Sequence, residues 1–231
     1  MKKRVCYTEI AYVLGLLLLS LGTALTEAGD FGISMVVAPA YLLHLKLVET
    51  IPFFSFGLAE YVLQATVFLL MILCVRKIRS VYFFSFVTTL LYGLLLDVFI
   101  LILKPLPVDT MTMRLIVYIL GVLLGSAGIS LLFRTYFPPA TYELFVKVLS
   151  RHWHIRLPVF KTAYDISSMV IAIILSLAFF GSIRGIGIAS VICAFVNGTL
   201  IRMFTGFFEH LWSFHDKFPL RAKFEESEET L

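Results

Sequence analysis

Two polar pairs stand in apolar surroundings where charge is expensive. Gln64 follows Glu60 by four residues, and Asp165 follows Lys161 by four. That spacing places both members of each pair on one helix face. A charge in hydrocarbon costs at least ~2.5 kcal/mol on insertion scales unless it faces protein or water, so such groups mark ion or solute pathways. A carboxyl there suits proton uptake or cation binding. Glu60 and Gln64, with Tyr61 adjoining, read as one wall of a ligand site. Asp165, Lys161 and Tyr164 are further ligand or coupling-ion candidates, and an ion pair with Lys161 would hold Asp165 charged and argue against proton uptake there. Asn197, next to Gly198, adds an amide that can bond a neighbouring helix. The competing reading has the carboxyls hydrogen-bonded within a helix bundle or close to its interface.

A second set of polar residues flanks two helix-breaking sequences. Asp30 and Ser34 accompany Gly29-Asp30-Phe31-Gly32 before a short apolar stretch, 33–47. Arg134 and Glu143 bracket Pro138-Pro139 at the start of another, 138–149. A short helix beginning inside a membrane presents unpaired N–H groups and a positive dipole end, which can hold an anion or polar solute. Ser34 is a candidate cap for the first, and Pro138 or Pro139 suits the first turn of the second. A helix lying on the membrane surface is the alternative. His152-Trp153-His154 lacks a third ligand at useful spacing for a metal. No nucleophile–base arrangement, phosphate-binding glycine loop or zinc motif occurs. The chain is therefore read as a non-enzyme with no metal and no cofactor.

The elements that must position these residues follow from composition. Of 231 residues, 60% are hydrophobic and 15% charged, whereas a soluble domain has about a quarter charged. The expected solvent is the lipid bilayer. Six long apolar segments (9–26, 52–75, 81–103, 113–133, 158–180 and 186–204) approach or exceed the roughly 20 residues of a crossing. The basic residues flank these spans rather than forming a stripe, which argues against nucleic acid. Cys6, Cys74 and Cys193 are too scattered for a disulfide framework. Lys2, Lys3 and Arg4 before the first span imitate a secretory leader, but that span has an internal copy, so a retained helix is expected.

The copy is direct. Tyr12, Gly15, Ser20 and Gly22 recur as Tyr118, Gly121, Ser126 and Gly128, an offset of 106. At an offset of 105, Glu60 pairs with Asp165, Gly93 with Gly198 and Asp97 with Arg202. Each half reads long, short, long, long. If the short stretches do not cross and the N-terminus is cytoplasmic, every Lys and Arg except Lys46, Lys104, Arg114 and Arg184 falls on the cytoplasmic side, as the positive-inside tendency requires. Three crossings per half then invert one half relative to the other.

The expected fold is an all-α polytopic membrane protein: six long transmembrane helices plus two short ones in two inverted-topology repeats. One transmembrane domain covers 1–206, with repeats at 9–104 and 113–206. Residues 207–231 are expected to form an interfacial aromatic helix and a disordered cytoplasmic tail. Gly121 to Gly125 and Gly181 to Gly185 have small-residue spacing for helix packing within the chain, with a homodimer as the alternative.

Gly22-Thr23-Ala24-Leu25, Gly29-Asp30-Phe31-Gly32-Ile33-Ser34 and Pro39, together with Asp165, Gly181, Gly185-Ile186-Gly187 and Asn197-Gly198, resemble the glycine-rich pattern of bacterial YczE/YitT-like membrane proteins. Ala40 follows Pro39 where that family often has tryptophan. The resemblance implies a multi-pass protein of the bacterial cytoplasmic membrane with a transport role, and supplies no catalytic residues. The functional expectation is secondary transport of a small solute by alternating access. A non-transporting scaffold or partner subunit is the runner-up.

Overall fold

Where no water reaches the backbone, each N–H and C=O must find its partner within its own segment, and a helix is the simplest way to do so. The computed structural model describes residues 4–76 and 80–218, and it folds the apolar segments accordingly. Eight helices follow one another: α1 (Thr8–Gly29), α2 (Ala38–Leu47), α3 (Phe56–Val75), α4 (Ser80–Leu103), α5 (Met111–Leu132), α6 (Thr141–His152), α7 (Leu157–Phe180) and α8 (Ile188–Leu211). Five of them, α1, α3, α4, α5 and α7, are long and apolar enough to cross a membrane. The protein is a polytopic helical membrane protein. Leu73 and Leu101 are each about 70% exposed, as side chains facing lipid would be.

Several boundaries depart from the sequence reading, each for a local reason. α3 starts at Phe56 rather than at 52, because Ser55 accepts the Leu58 N–H and caps it. Glu60 is therefore the fifth residue of its helix, about one turn in. Pro138 and Pro139 precede α6 instead of forming its first turn, and Ser34 contributes its carbonyl, not its side chain, to the start of α2. The expected interfacial helix after residue 206 does not form separately. α8 continues to Leu211, and Trp212–His215 then forms a strand, β2, paired in parallel with β1 (Arg4–Tyr7). The fold is thus not all-α. The expected disordered tail, apart from Lys217 and Phe218, lies outside the described residues, as do Lys2, Lys3, Lys77 and Arg79.

The core is the pairing of α1 with α5. A Cβ placed on Gly15 would press on the Gly128 carbonyl, one on Gly22 on the Gly121 carbonyl, and one on Gly29 on the Arg114 carbonyl. Each step of seven residues up α1 is seven residues down α5, so the two helices are antiparallel. Only glycine lets the backbones approach this closely. α4 lies parallel to α1 through Tyr12–Thr88 (2.7 Å) and Tyr92–Thr23 (3.0 Å). α8 lies parallel to α5 through Tyr118–Cys193 (3.3 Å), Ser126–Asn197 (2.6 Å) and Ser130–Thr205 (2.9 Å). Both short helices sit between α3 and α7. The β1–β2 ladder marks one end of the bundle, called the termini end below. α1, α4 and α7 start there, and α3, α5 and α8 finish there.

Candidate functional site

A cavity of about 380 Å³ occupies the middle of the bundle. Its walls come from both halves: Thr23 and Thr26 of α1, Tyr118, Gly125 and Ser126 of α5, and Cys193, Asn197 and Gly198 of α8. The segment Ser34–Val37 before α2 reaches it from one side, and Tyr142 and Glu143 in the first turn of α6 from another. α7 contributes Lys161, Thr162 and Asp165, and α4 contributes Tyr92. The volume lies in the range of small-molecule sites.

The charged groups gather where α6 meets α7. Lys161 Nζ lies 3.9 Å from Asp165 Oδ1, at the limit of an ion pair, with side chains 49% and 29% exposed. At that distance it is not a hydrogen bond, and Asp165 Oδ1 has no hydrogen-bond partner among the described residues. Glu143 stands close enough to feel both. Burial lifts its carboxyl above the ordinary range, Lys161 pulls it back down, and Asp165 adds to the rise. One cation thus serves two carboxyls. A polar solute entering here would find hydroxyls, an amide and charge of both signs.

Glu60 sits behind this wall, not in it. Its side chain is 0% exposed, and its Oε2 accepts from Gln64 Nε2 at 3.1 Å. Its other oxygen, Oε1, has no partner among the described residues. An ionised carboxyl so placed would be an uncompensated buried charge. Neutralisation by a proton or pairing with a bound cation would relieve it. Gln64 is fixed from the other direction: its Oε1 accepts from Thr89 Oγ1 (2.7 Å) and from the Thr141 N–H (3.1 Å), the first residue of α6. The first N–H of α6 is therefore bonded to Gln64. Tyr164, hydrogen-bonded to Ser168, lies within electrostatic reach of both Glu60 and Asp165.

Other expected residues have different roles. Tyr61 donates to the Leu90 carbonyl (2.6 Å) and clamps α3 to α4. Asp30 closes α1 and pairs with Arg114 (2.8 Å). Arg134 pairs with Glu209. Neither Asp30 nor Arg134 lines the cavity; Asp30 lies within electrostatic reach of Tyr41 on α2. Asn197 both lines the cavity and accepts from Ser126.

The family model described as Family of unknown function (DUF6198) matches residues 6–206. The chain belongs to that family. No curated protein and no solved structure matches it. The DUF6198 match spans all eight helices but for the last residues of α8, so the whole cavity lies within it.

Sequence reasoning missed the hydroxyls of Tyr92 and Tyr118 on the cavity wall and the part that Thr89 and Thr141 play behind it, bonding Gln64. Hydroxyls are common in apolar helices and usually bond their own backbone, so nothing in their spacing sets these apart. Asp97 was noticed only as a repeat partner; the structure places it at the start of α3, accepting from Ser55 Oγ and the Gly57 N–H.

Proposed function

We propose that this DUF6198 protein is a secondary transporter that carries a small polar solute by alternating access between two inverted repeats. The observation that carries the reading is the central cavity, walled by both halves and charged only where α6 meets α7. The repeat geometry supports it. Tyr12–Thr88 and Tyr118–Cys193 are the same contact in the two halves, since 12 and 118 differ by 106 and 88 and 193 by 105. The pair Gly15–Gly128 likewise becomes Gly121–Gly22 when the halves are exchanged. Antiparallel α1 and α5 joined by self-matching contacts are what a two-fold axis in the membrane plane would produce.

In this reading α8 is the sixth crossing, and the termini end is cytoplasmic because Arg76, Arg134, Arg151 and Arg156 cluster there. The setting is the bacterial cytoplasmic membrane, as the YczE/YitT-like pattern implies. Asp165 and Glu143 contact the solute, Glu60 holds the coupling proton or cation, and no covalent chemistry is involved. Solute binding shifts the balance between two states only as far as it prefers one of them.

Thermal-shift screening of the purified protein against a panel of small metabolites identifies the solute. Its uptake into reconstituted vesicles is expected to fall about tenfold or more in Asp165→Asn and in Glu60→Gln, with the folded protein retained. Unchanged uptake in both variants overturns the assignment. No solute shift, together with a stoichiometric co-purifying subunit, favours the scaffold reading instead.

A further inference from the structure

The hairpins α3–α4 and α7–α8 are counterparts in sequence but not in packing. α3 and α4 are tied along the far half of the bundle. Asp97 holds Ser55 and Gly57 (N–H to Oδ1, 2.7 Å), Tyr61 holds the Leu90 carbonyl, and Thr89 holds Gln64. A Cβ on Gly93 would strike the Tyr61 ring. The matching residues include Phe160 and Ile166 on α7 and Gly198 and Arg202 on α8. Around Gly198 nothing lies within 4 Å of where a Cβ would be. Among the described residues α7 and α8 are not packed together as α3 and α4 are. The cavity reflects this: Lys161 and Thr162 of α7 and Gly198 and Ile201 of α8 line it, whereas α3 contributes nothing and α4 only Tyr92.

We infer that the structure is the state open at the termini end between α7 and α8, and that Asp97 is the latch holding the far end shut. The inference rests on the transport reading for its purpose but on packing for its content. Its physics is the helix dipole. The N-terminal turn of α3 has N–H groups with no partner inside the helix and a partial positive charge, so the carboxylate of Asp97, accepting from the Gly57 N–H, draws α4 onto it. At the matching sequence position in the second half stands Arg202, an exposed cation, and a cation brought against the N-terminal end of α7 would be disfavoured. Lys161, in that same turn, adds a second positive charge. The exchange of Asp97 for Arg202 therefore biases one gate shut and the other open. The opposite state forms when Asp97 releases Ser55 and Gly57, α4 parts from α3, and α7 closes on α8.

Cys193, on the cavity wall, reports the gate. With Cys6 and Cys74 replaced by serine, it is the sole thiol of the chain. A membrane-impermeant sulfonated maleimide, applied to right-side-out and inverted vesicles, is expected to reach Cys193 from the termini side alone. Asp97→Ala should raise its labelling from the far side about tenfold and lower it from the termini side. Arg202→Asp should move both rates in the same direction without touching the latch, and it decides the matter if Asp97→Ala does not fold. Labelling of the parent from the far side, or unchanged rates in a folded Asp97→Ala and in Arg202→Asp, overturns the inference. The labelling assay uses no solute, so the two readings fail separately: a gate that responds as expected in a protein that takes up none of the screened solutes leaves the latch standing and overturns the transport reading.

Discussion

Gly22 and Gly125 sit on facing helices yet should respond oppositely to an added methyl group. A Cβ on Gly22 would collide with the backbone of Gly125, whereas a Cβ on Gly125 meets nothing within 4 Å because it points into the cavity. Gly22→Ala is expected to force α1 and α5 apart and cost about 1–3 kcal/mol, read as a lower melting temperature in detergent. Gly125→Ala should leave that temperature nearly unchanged. A larger residue there, Gly125→Phe, should fill the cavity and abolish solute-induced stabilisation while the fold persists. Gln64 makes a parallel case for polar groups. It bonds Glu60, Thr89 and the Thr141 N–H, and all of this is buried. Gln64→Leu strands those partners, at about 1–3 kcal/mol for each buried group left unsatisfied. The sequence marked Gln64 by its place one turn after Glu60, but its partner lies 77 residues away, and no spacing along the chain could reveal that.

The order of elements was legible because it is written in runs and breaks: long apolar stretches, then Gly29–Gly32 or Pro138–Pro139, then a stretch too short to cross. What the runs could not give was the exact start of a helix. Ser55 caps α3 and Thr110 caps α5 through the Met113 N–H, single residues inside polar or apolar sequence that looks continuous. The β1–β2 ladder was invisible for a different reason. Each strand has four residues, too few to show alternation, and their pairing joins Arg4 to Trp212 across nearly the whole chain. That ladder ties the start of α1 to the end of α8, with Thr8 bonding Asp216 (2.8 Å) and Glu9 accepting the N–H groups of Lys217 and Phe218. A chain cut after Leu211 loses all of these together. Hydrogen exchange should then show the amides of Val5–Tyr7 unprotected, with the α1–α5 core still slow to exchange. Protection retained at Val5–Tyr7 would mean the ladder does not hold the two ends together.

At the scale of the whole molecule, charge and repeat make one joint demand. Glu60 and Asp165 stand out in the sequence because charge in hydrocarbon is rare, and the proposed halves stand out because their glycines recur. Their mutual orientation does not, since a duplicated sequence is compatible with either sidedness. In the proposed transporter, antiparallel packing of α1 on α5 would remove that freedom: if one half enters the membrane from the cytoplasm, its twin would enter from outside. The proposal then expects Lys46 and Glu49, paired at the far end, to face the exterior, and Arg151, at the end of α6, to face the cytoplasm. Single cysteines test this directly in a chain whose native cysteines are replaced by serine. An impermeant maleimide on intact cells should label Glu49→Cys and spare Arg151→Cys, and inverted vesicles should reverse the pattern. Both sites labelling from one side would make the bundle incompatible with two opposed halves. Because α1 and α5 hold each other by backbone contact, no small rearrangement could restore that opposition, and alternating access would have to be abandoned with it.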